Sequence, residues 1–228
     1  MNIQELYNIR FQHKDMQKKI RIWKEICSYL QKYTFDWTRE KKIVVDVAAG
    51  YCDFINNFRV GGDKEEVEKY AIELNPDIKK YAGDDVKSIV DSIENISIYF
   101  EKESVTMFFM SNFLEHITKK EISDLLKLEY ELLIPGGEIW ILTPNIRYVG
   151  GKYWDFFDHI TPITEKAIIE EAKVNRFKTK KCIKKFLPYT TKSKFPTSSL
   201  IVRLYLRLMP LSGFLFGQQS FIILSKSN

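Results

Sequence analysis

Residues 42–58 read KIVVDVAAGYCDFINNF. An apolar run, Ile43-Val44-Val45, leads to Asp46, then to a loop of small residues, then to a helical segment from Tyr51. That order is a buried parallel strand, a tight turn and a helix N-terminus. The helix start offers unpaired N–H groups and the positive end of a dipole, and small residues let a ligand lie against the backbone. A phosphate loop, G-x-x-x-x-G-K-[ST], is absent. The dinucleotide fingerprint G-x-G-x-x-G would need glycines where Ala48, Gly50 and Asp53 stand. A carboxylate in the third place is wrong for helix–strand packing and wrong for a pyrophosphate. The stretch fits D-x-G-x-G-x-G better, with Asp46, Ala48, Gly50 and Cys52 on the fixed places and one glycine of three kept. Alanine at 48 is tolerable if its φ stays negative, and Cys52 opens the helix at little cost.

Downstream the pattern repeats as strand and helix. Glu68–Leu74 (EKYAIEL) reads as a second strand, stopped by Asn75-Pro76. Val86–Val90 is a third, ending at Asp91-Ser92, with Asp84 and Asp85 close by. Val105–Met110 (VTMFFM) is a continuous apolar run and hence a central strand. Lys120–Leu133 is an amphipathic helix ended by Pro135-Gly136-Gly137, and Glu138–Leu142 is the fifth strand. Thr164–Lys173 is a helix capped by Thr161 or Thr164, and 177–189 and 219–224 read as the last strands. The alternation predicts an α/β fold with a doubly wound, mostly parallel sheet, whose ligand lies beyond the carboxyl ends of the strands. Asp46, Glu73, Asp91, Asn112 and Thr143 all stand at such ends. An acidic strand end before a small-residue turn suits a cationic, amino-acid-bearing nucleoside, and S-adenosylmethionine is one. Glu73, 23 residues beyond Gly50, suits vicinal ribose hydroxyls because an ionised carboxylate only accepts hydrogen bonds.

DVAAGYCDF, YAIELNPD, FFMSNFLEHI, IPGGEIWILTPN and DHITPITE, in that order, resemble the class I S-adenosylmethionine-dependent methyltransferases. The resemblance covers roughly residues 40 to 225. It implies a seven-stranded sheet with an antiparallel C-terminal strand, and S-adenosylmethionine as cofactor. It implies a cofactor set of Asp46, Ala48, Gly50, Asp53, Glu73, Leu74, Asp91, Ser92, Asn112 and Phe113. Asp46 and Gly50 would face the methionine half and Glu73 the ribose. Asp91 with the Ser92 N–H would meet the adenine, and Asn112 with Phe113 the sulfonium. WDFFDHITPIT and the FLPYTTKSKFP…LYLRLMPL…GQQSFII tail resemble small bacterial methyltransferases of surface-polysaccharide and glycolipid gene clusters. That second likeness implies O-methyl transfer to a sugar hydroxyl of a glycan or its activated precursor.

A hydroxyl acceptor gives up a proton, so a base within hydrogen-bond reach helps. The chain has three histidines, and two, His116 and His159, fall in segments beyond strand ends. His159 is the favoured base with Asp158 as its orienter. His116 is the alternative, with a structural role as its competing reading. The long aromatic and polar connection after the fifth strand supplies the acceptor-binding candidates Asn145, Arg147, Tyr148, Tyr153 and Trp154. They could equally close a lid over the cofactor.

Composition sets the remaining bounds. At 228 residues the chain fits one domain, with a helical arm over 1–40 ahead of the cofactor-binding unit at 41–228. Within the arm Asp15–Tyr33 is an amphipathic helix, packed on the sheet or capping the pocket. His13 reads as incidental. Three scattered cysteines show no metal spacing and no disulfide framework, so no metal site is assigned and a reducing cytoplasm fits. The opening residues lack an apolar core, so no signal peptide is expected. Residues 173–194 hold eight lysines and one arginine against no acids, which makes either a solvated face or a surface for an anionic partner. The apolar stretch 200–216, with Arg203 and Arg207, is either a core or dimer-forming insertion or a peripheral membrane contact. The chain would then be a monomer or homodimer. Three other readings compete. A cofactor-binding scaffold or sensor is motivated by Ala48 and Cys52. An NAD-dependent enzyme lacks its glycine fingerprint. A nucleic-acid methyltransferase lacks any acceptor motif of that kind, so no nucleic acid is expected as partner.

Overall fold

The computed structural model describes residues 16–34, 41–60, 66–189 and 198–227. His13, the Gly61-Gly62-Asp63 turn and the 190–197 part of the lysine-rich stretch lie outside them. Seven strands build one sheet: β1 (Lys41–Val47), β2 (Glu66–Glu73), β3 (Val86–Val90), β4 (Val105–Ser111), β5 (Leu133–Pro144), β6 (Lys178–Leu187) and β7 (Gln219–Ser225). Their order is β3-β2-β1-β4-β5-β7-β6. The first five pair in parallel, while β7 runs antiparallel to both neighbours. This is the α/β, doubly wound sheet that the alternation predicts, with the antiparallel C-terminal strand that the resemblance implies.

Alternation along each strand builds two cores. Phe108 and Met110 of β4, with Ile139 and Ile141 of β5, face α4 (Lys119–Leu132) and α6 (Glu165–Val174). Met107, Phe109, Trp140 and Leu142 face α1 (Met16–Leu30) and α2 (Asp53–Asn57). Phe54 of α2 stacks on Phe109 with ring centroids 3.5 Å apart, and Trp23 of α1 meets both rings edge-on. The α1 helix therefore does both jobs expected of it. Cys27 and Leu30 are core, while Ile22, Trp23 and Ile26 also wall the main cavity.

The start of β5 differs from the sequence reading. Pro135-Gly136-Gly137 does not separate helix from strand, because β5 already begins at Leu133, which pairs with Val105. The register then shifts so that Glu138 pairs with Met107, and Gly136 takes φ +75° to absorb the extra residues. A Cβ on Gly137 would lie 2.9 Å from the Ile134 carbonyl oxygen, so glycine is required there. Of the two caps expected for the helix after the aromatic connection, Thr164 is the one used, and its hydroxyl accepts the Ala167 N–H at 3.2 Å.

Most of the described lysine-rich stretch is β6, the sheet edge. Charged side chains along an edge discourage pairing with another chain. Between β6 and β7 the chain forms α7 (Ser199–Arg207) and α8 (Leu211–Phe216).

Candidate functional site

A cavity of about 1180 Å³ opens beyond the carboxyl ends of β1, β2, β3 and β4. The β1–α2 turn forms its floor. Ala48, Gly50 and Cys52 have φ of +52°, +52° and +57°. Every second residue of the turn is thus left-handed, at the three places where D-x-G-x-G-x-G has glycine. The expectation of a negative φ at Ala48 is overturned, and Cys52 is an N-cap in the αL region. A Cβ in that region meets the neighbouring carbonyl, at a cost of roughly 1–2 kcal/mol per residue. The turn closes through the Ala49 N–H on the Ile72 carbonyl at 3.1 Å and the Cys52 N–H on Ala49 at 2.8 Å.

Glu73 locks this turn to β2. Its Oε2 accepts the Gly50 N–H at 3.0 Å, and its Oε1 accepts from Leu74 at 2.9 Å and Asn75 at 3.2 Å. An ionised carboxylate has about four lone-pair sites, so three backbone donors leave one for a hydroxyl. Leu74 is 55% exposed and lies along the same wall.

The floor is acidic. Burial raises the Asp46 carboxyl well above its ordinary pKa, and Asp53 and Glu73 add to this against an opposing Ile55 N–H. Burial likewise lifts Asp53 to about 6, with Lys19 opposing. Of Asp84, Asp85 and Asp91, it is Asp91 that is among the cavity-lining residues. Asp85 is engaged by Lys69 at 2.9 Å. The Ser92 N–H expected to meet adenine instead donates to Asp91 Oδ1 at 2.7 Å. Tyr99 and Asn95 also donate to that carboxylate, and the three bonds lower its pKa, Tyr99 most. Asn112, a residue type suited to positive φ, turns at φ +52° after β4 and lines the cavity beside Phe113.

At the far end stand Glu115, His116, Asp158 and His159. Asp158, expected as the orienter of His159, contacts His116. His116 Nδ1 lies 3.2 Å from Asp158 Oδ2 and 3.1 Å from the Asp158 carbonyl oxygen. His159 stacks on Phe156 and packs edge-on to His116 and Tyr153, at centroid distances of 5.1, 4.8 and 4.8 Å. The two imidazoles that the sequence left as alternatives share one site. Glu115, which sequence reasoning quoted only inside its motif, is fully buried, and burial raises its carboxyl to about 8. The signal was its place next to His116 directly after a central strand.

The five acceptor-binding candidates do not line this cavity. Asn145 is fully buried and its amide donates to Glu165 at 2.6 Å and Ser220 at 2.9 Å. Tyr153 is buried with its hydroxyl on the Thr161 carbonyl. Arg147 and Tyr148 line a separate, smaller cavity beside Lys185 and Gln218, and Trp154 is 52% exposed outside both. The cavity wall near His159 is built instead by Phe156, Phe157, Ile160, Tyr189 and Gln219. Ile201, Val202, Tyr205 and Phe216 of α7 and α8 close it from above.

No family profile matches the sequence. No curated protein matches it either. Solved structures do match in three dimensions. A SAM-dependent methyltransferase from Archaeoglobus fulgidus is similar at TM-score 0.62 and 17% identity, over 88% of this chain and 93% of that one. A methyltransferase bound to the Trm112 activator in Haloferax volcanii is similar at TM-score 0.64 and 14% identity, with 94% of each chain covered. Geranyl diphosphate C-methyltransferase from Streptomyces coelicolor, in complex with Mg2+, geranyl diphosphate and S-adenosyl-L-homocysteine, is similar at TM-score 0.57 and 15% identity, over 87% and 80%. At such identities the likeness is one of fold, and the fold of this chain is that of the S-adenosylmethionine-dependent methyltransferases.

Proposed function

We propose that the protein transfers a methyl group from S-adenosylmethionine to a hydroxyl, and that the acceptor is a sugar of a surface glycan or its activated precursor. The observation that carries the cofactor assignment is the β1–α2 turn. Its three left-handed residues and the Glu73 clamp keep a shape that two of the side chains oppose. A turn held against that cost favours a ligand-shaped floor. The acidic floor favours a cationic amino acid and sulfonium over a pyrophosphate, which weighs against NAD. Asp46, Asp53 and Gly50 would hold the methionine half. Glu73 would take a ribose hydroxyl, Asp91 and Ser92 would border the adenine, and Asn112 and Phe113 would border the sulfonium.

The cavity exceeds the range of ~300–1000 Å³ usual for one small ligand, which suits a cofactor and an acceptor together. Methyl transfer is an in-line displacement at an already activated carbon, so the protein contributes mainly orientation. The Glu115–His116–His159 end would receive the hydroxyl, where an imidazole can take its proton. Asp158 would act as positioning residue for His116. The aromatic rings of Phe156, Phe157 and Tyr189 suit the face of a sugar.

Calorimetric titration of the purified protein with S-adenosylmethionine and with NAD tests the first step. Saturable binding of the former alone is expected. Absence of S-adenosylmethionine binding would remove the proposal and bring the scaffold reading forward.

A further inference from the structure

Glu115, His116 and His159 each present one ligand-type atom, and the three atoms lie within 4.8 Å of one another. We infer that this cluster is a binding site for one divalent transition-metal ion, placed to take an acceptor oxygen into its open coordination positions. Two imidazoles and one carboxylate form a donor set suited to Zn2+, Co2+, Ni2+, Fe2+ or Mn2+ rather than to Mg2+. Ligands held about 2.1 Å from one ion lie roughly 3–4 Å apart. Closing the cluster to that spacing needs movement of under about 2 Å at the widest pair, within the reach of side-chain torsions.

The surroundings are those of a supported site. Both Asp158 partners of His116 Nδ1 are acceptors, so the neutral ring carries its proton there and its lone pair on Nε2. A ligating histidine is oriented in this way by a carboxylate or carbonyl behind it. Thr143 Oγ1 donates to Glu115 Oε2 at 3.2 Å and fixes that carboxylate. His159 is held by its stack on Phe156. The two chain segments are also joined by backbone. The Glu115 carbonyl accepts the Ile160 and Thr161 N–H groups at 3.0 and 3.2 Å, so the ligand-bearing segments cannot drift apart independently. The cluster lines the main cavity, which leaves its remaining coordination positions facing the acceptor end. With a cation in place, polarisation of an acceptor hydroxyl would pass from the imidazoles to the ion.

The site stands or falls without methyl transfer, so its test uses neither cofactor nor acceptor. The full chain, stripped with chelator, is titrated with Zn2+ by calorimetry. One ion per chain is expected. Glu115→Gln and His159→Gln should each weaken binding at least about tenfold. Asp158→Asn should weaken it by about 10–100-fold as a supporting group. His13→Gln should leave it unchanged. Cu2+ electron paramagnetic resonance on the unsubstituted protein gives a reading that no variant's folding can confuse, with nitrogen coupling from two imidazoles expected. Absence of stoichiometric Zn2+ binding, or a Cu2+ signal without two nitrogens, would overturn the inference. Binding that survives both Glu115→Gln and His159→Gln would overturn it equally.

Discussion

At the scale of single residues, the β1–α2 turn sets strain against packing. Ala48 is only partly buried, so its methyl group gains little for the left-handed φ it must adopt. Ala48→Gly should therefore stabilise the fold by about 1 kcal/mol, seen as a rise in Tm of about 2–4 °C. Cys52 has the same backbone but is fully buried in the α1–α2 core. There Cys52→Gly loses apolar contacts that offset the relief, and no comparable gain is expected. Equal gains from both would show that strain is not what separates the two positions. Asp53 links the same turn to pH. Its folded pKa of about 6 lies above the ordinary carboxyl value, so it favours the folded protein below the unfolded pKa. That contribution is lost as pH rises through about 6. A cation bound against it needs the ionised form, so S-adenosylmethionine affinity should fall by up to about tenfold per pH unit below 6. Asp53→Asn should flatten that profile in calorimetric titrations. An unchanged slope would place the titrating group elsewhere. The turn also shows what sequence withholds. Asp46, Gly50 and Glu73 are legible because spacing from a strand end fixes them. The sign of φ at Ala48 is not, because alanine carries no turn signature.

Among the elements, α4 carries a polar group that its packing does not explain. Its Thr118–Glu121 capping box and the apolar residues Ile122, Leu125, Leu126 and Leu132 account for the helix and its buried face. Glu129 lies on that face, fully buried, and neither carboxyl oxygen has a hydrogen-bond partner among the described residues. Burial raises its pKa well above the ordinary value, so the native state holds it neutral. Such a group contributes stability below its unfolded pKa and loses it as pH rises through the folded one. Glu129→Met should add about 1–3 kcal/mol at neutral pH by removing an unsatisfied polar group at similar volume. It should also reduce the loss of stability between pH 5 and pH 9. Denaturant midpoints at the two pH values measure both effects, and a destabilised variant would point to a hidden partner for the carboxylate. Helices and strands of this kind were legible wherever apolar periodicity set them, as along β4. The connection at 145–162 was not. Composition marked it as a binding segment, and Phe156–Ile160 do line the cavity. Only folding decides that Tyr153 turns inward to Thr161 while Asp158 reaches back to a histidine 42 residues away.

For the whole molecule, the question is what α7 and α8 face. One side closes the cavity, through Ile201, Val202, Tyr205 and Phe216. The other leaves Leu200, Leu204, Leu208, Leu211, Phe214 and Leu215 at least half exposed, with Leu200 at 73% and Phe214 at 70%. Monomeric proteins rarely leave so many large apolar side chains together in water. No helix among the described residues is long and apolar enough to cross a membrane. An interfacial contact is the arrangement such a pair of short helices can make. Arg203 is not the cation for it, because its guanidinium grips Glu25 through two bonds of 2.9 and 2.8 Å and so ties α7 to α1. Arg207 at the end of α7 is exposed, and Lys185 of β6 reaches the Phe214 carbonyl of α8. A surface that pairs apolar side chains with a basic one would fit an anionic bilayer. The protein should therefore co-sediment with vesicles containing phosphatidylserine, less so as salt rises through several tenths molar. A Leu204→Ser, Phe214→Ser double variant should lose that binding while S-adenosylmethionine affinity stays unchanged. If the unsubstituted protein ignores vesicles but dimerises with rising concentration, and the double variant is monomeric, the helices are a subunit interface. The acceptor would then reach the cavity from solution.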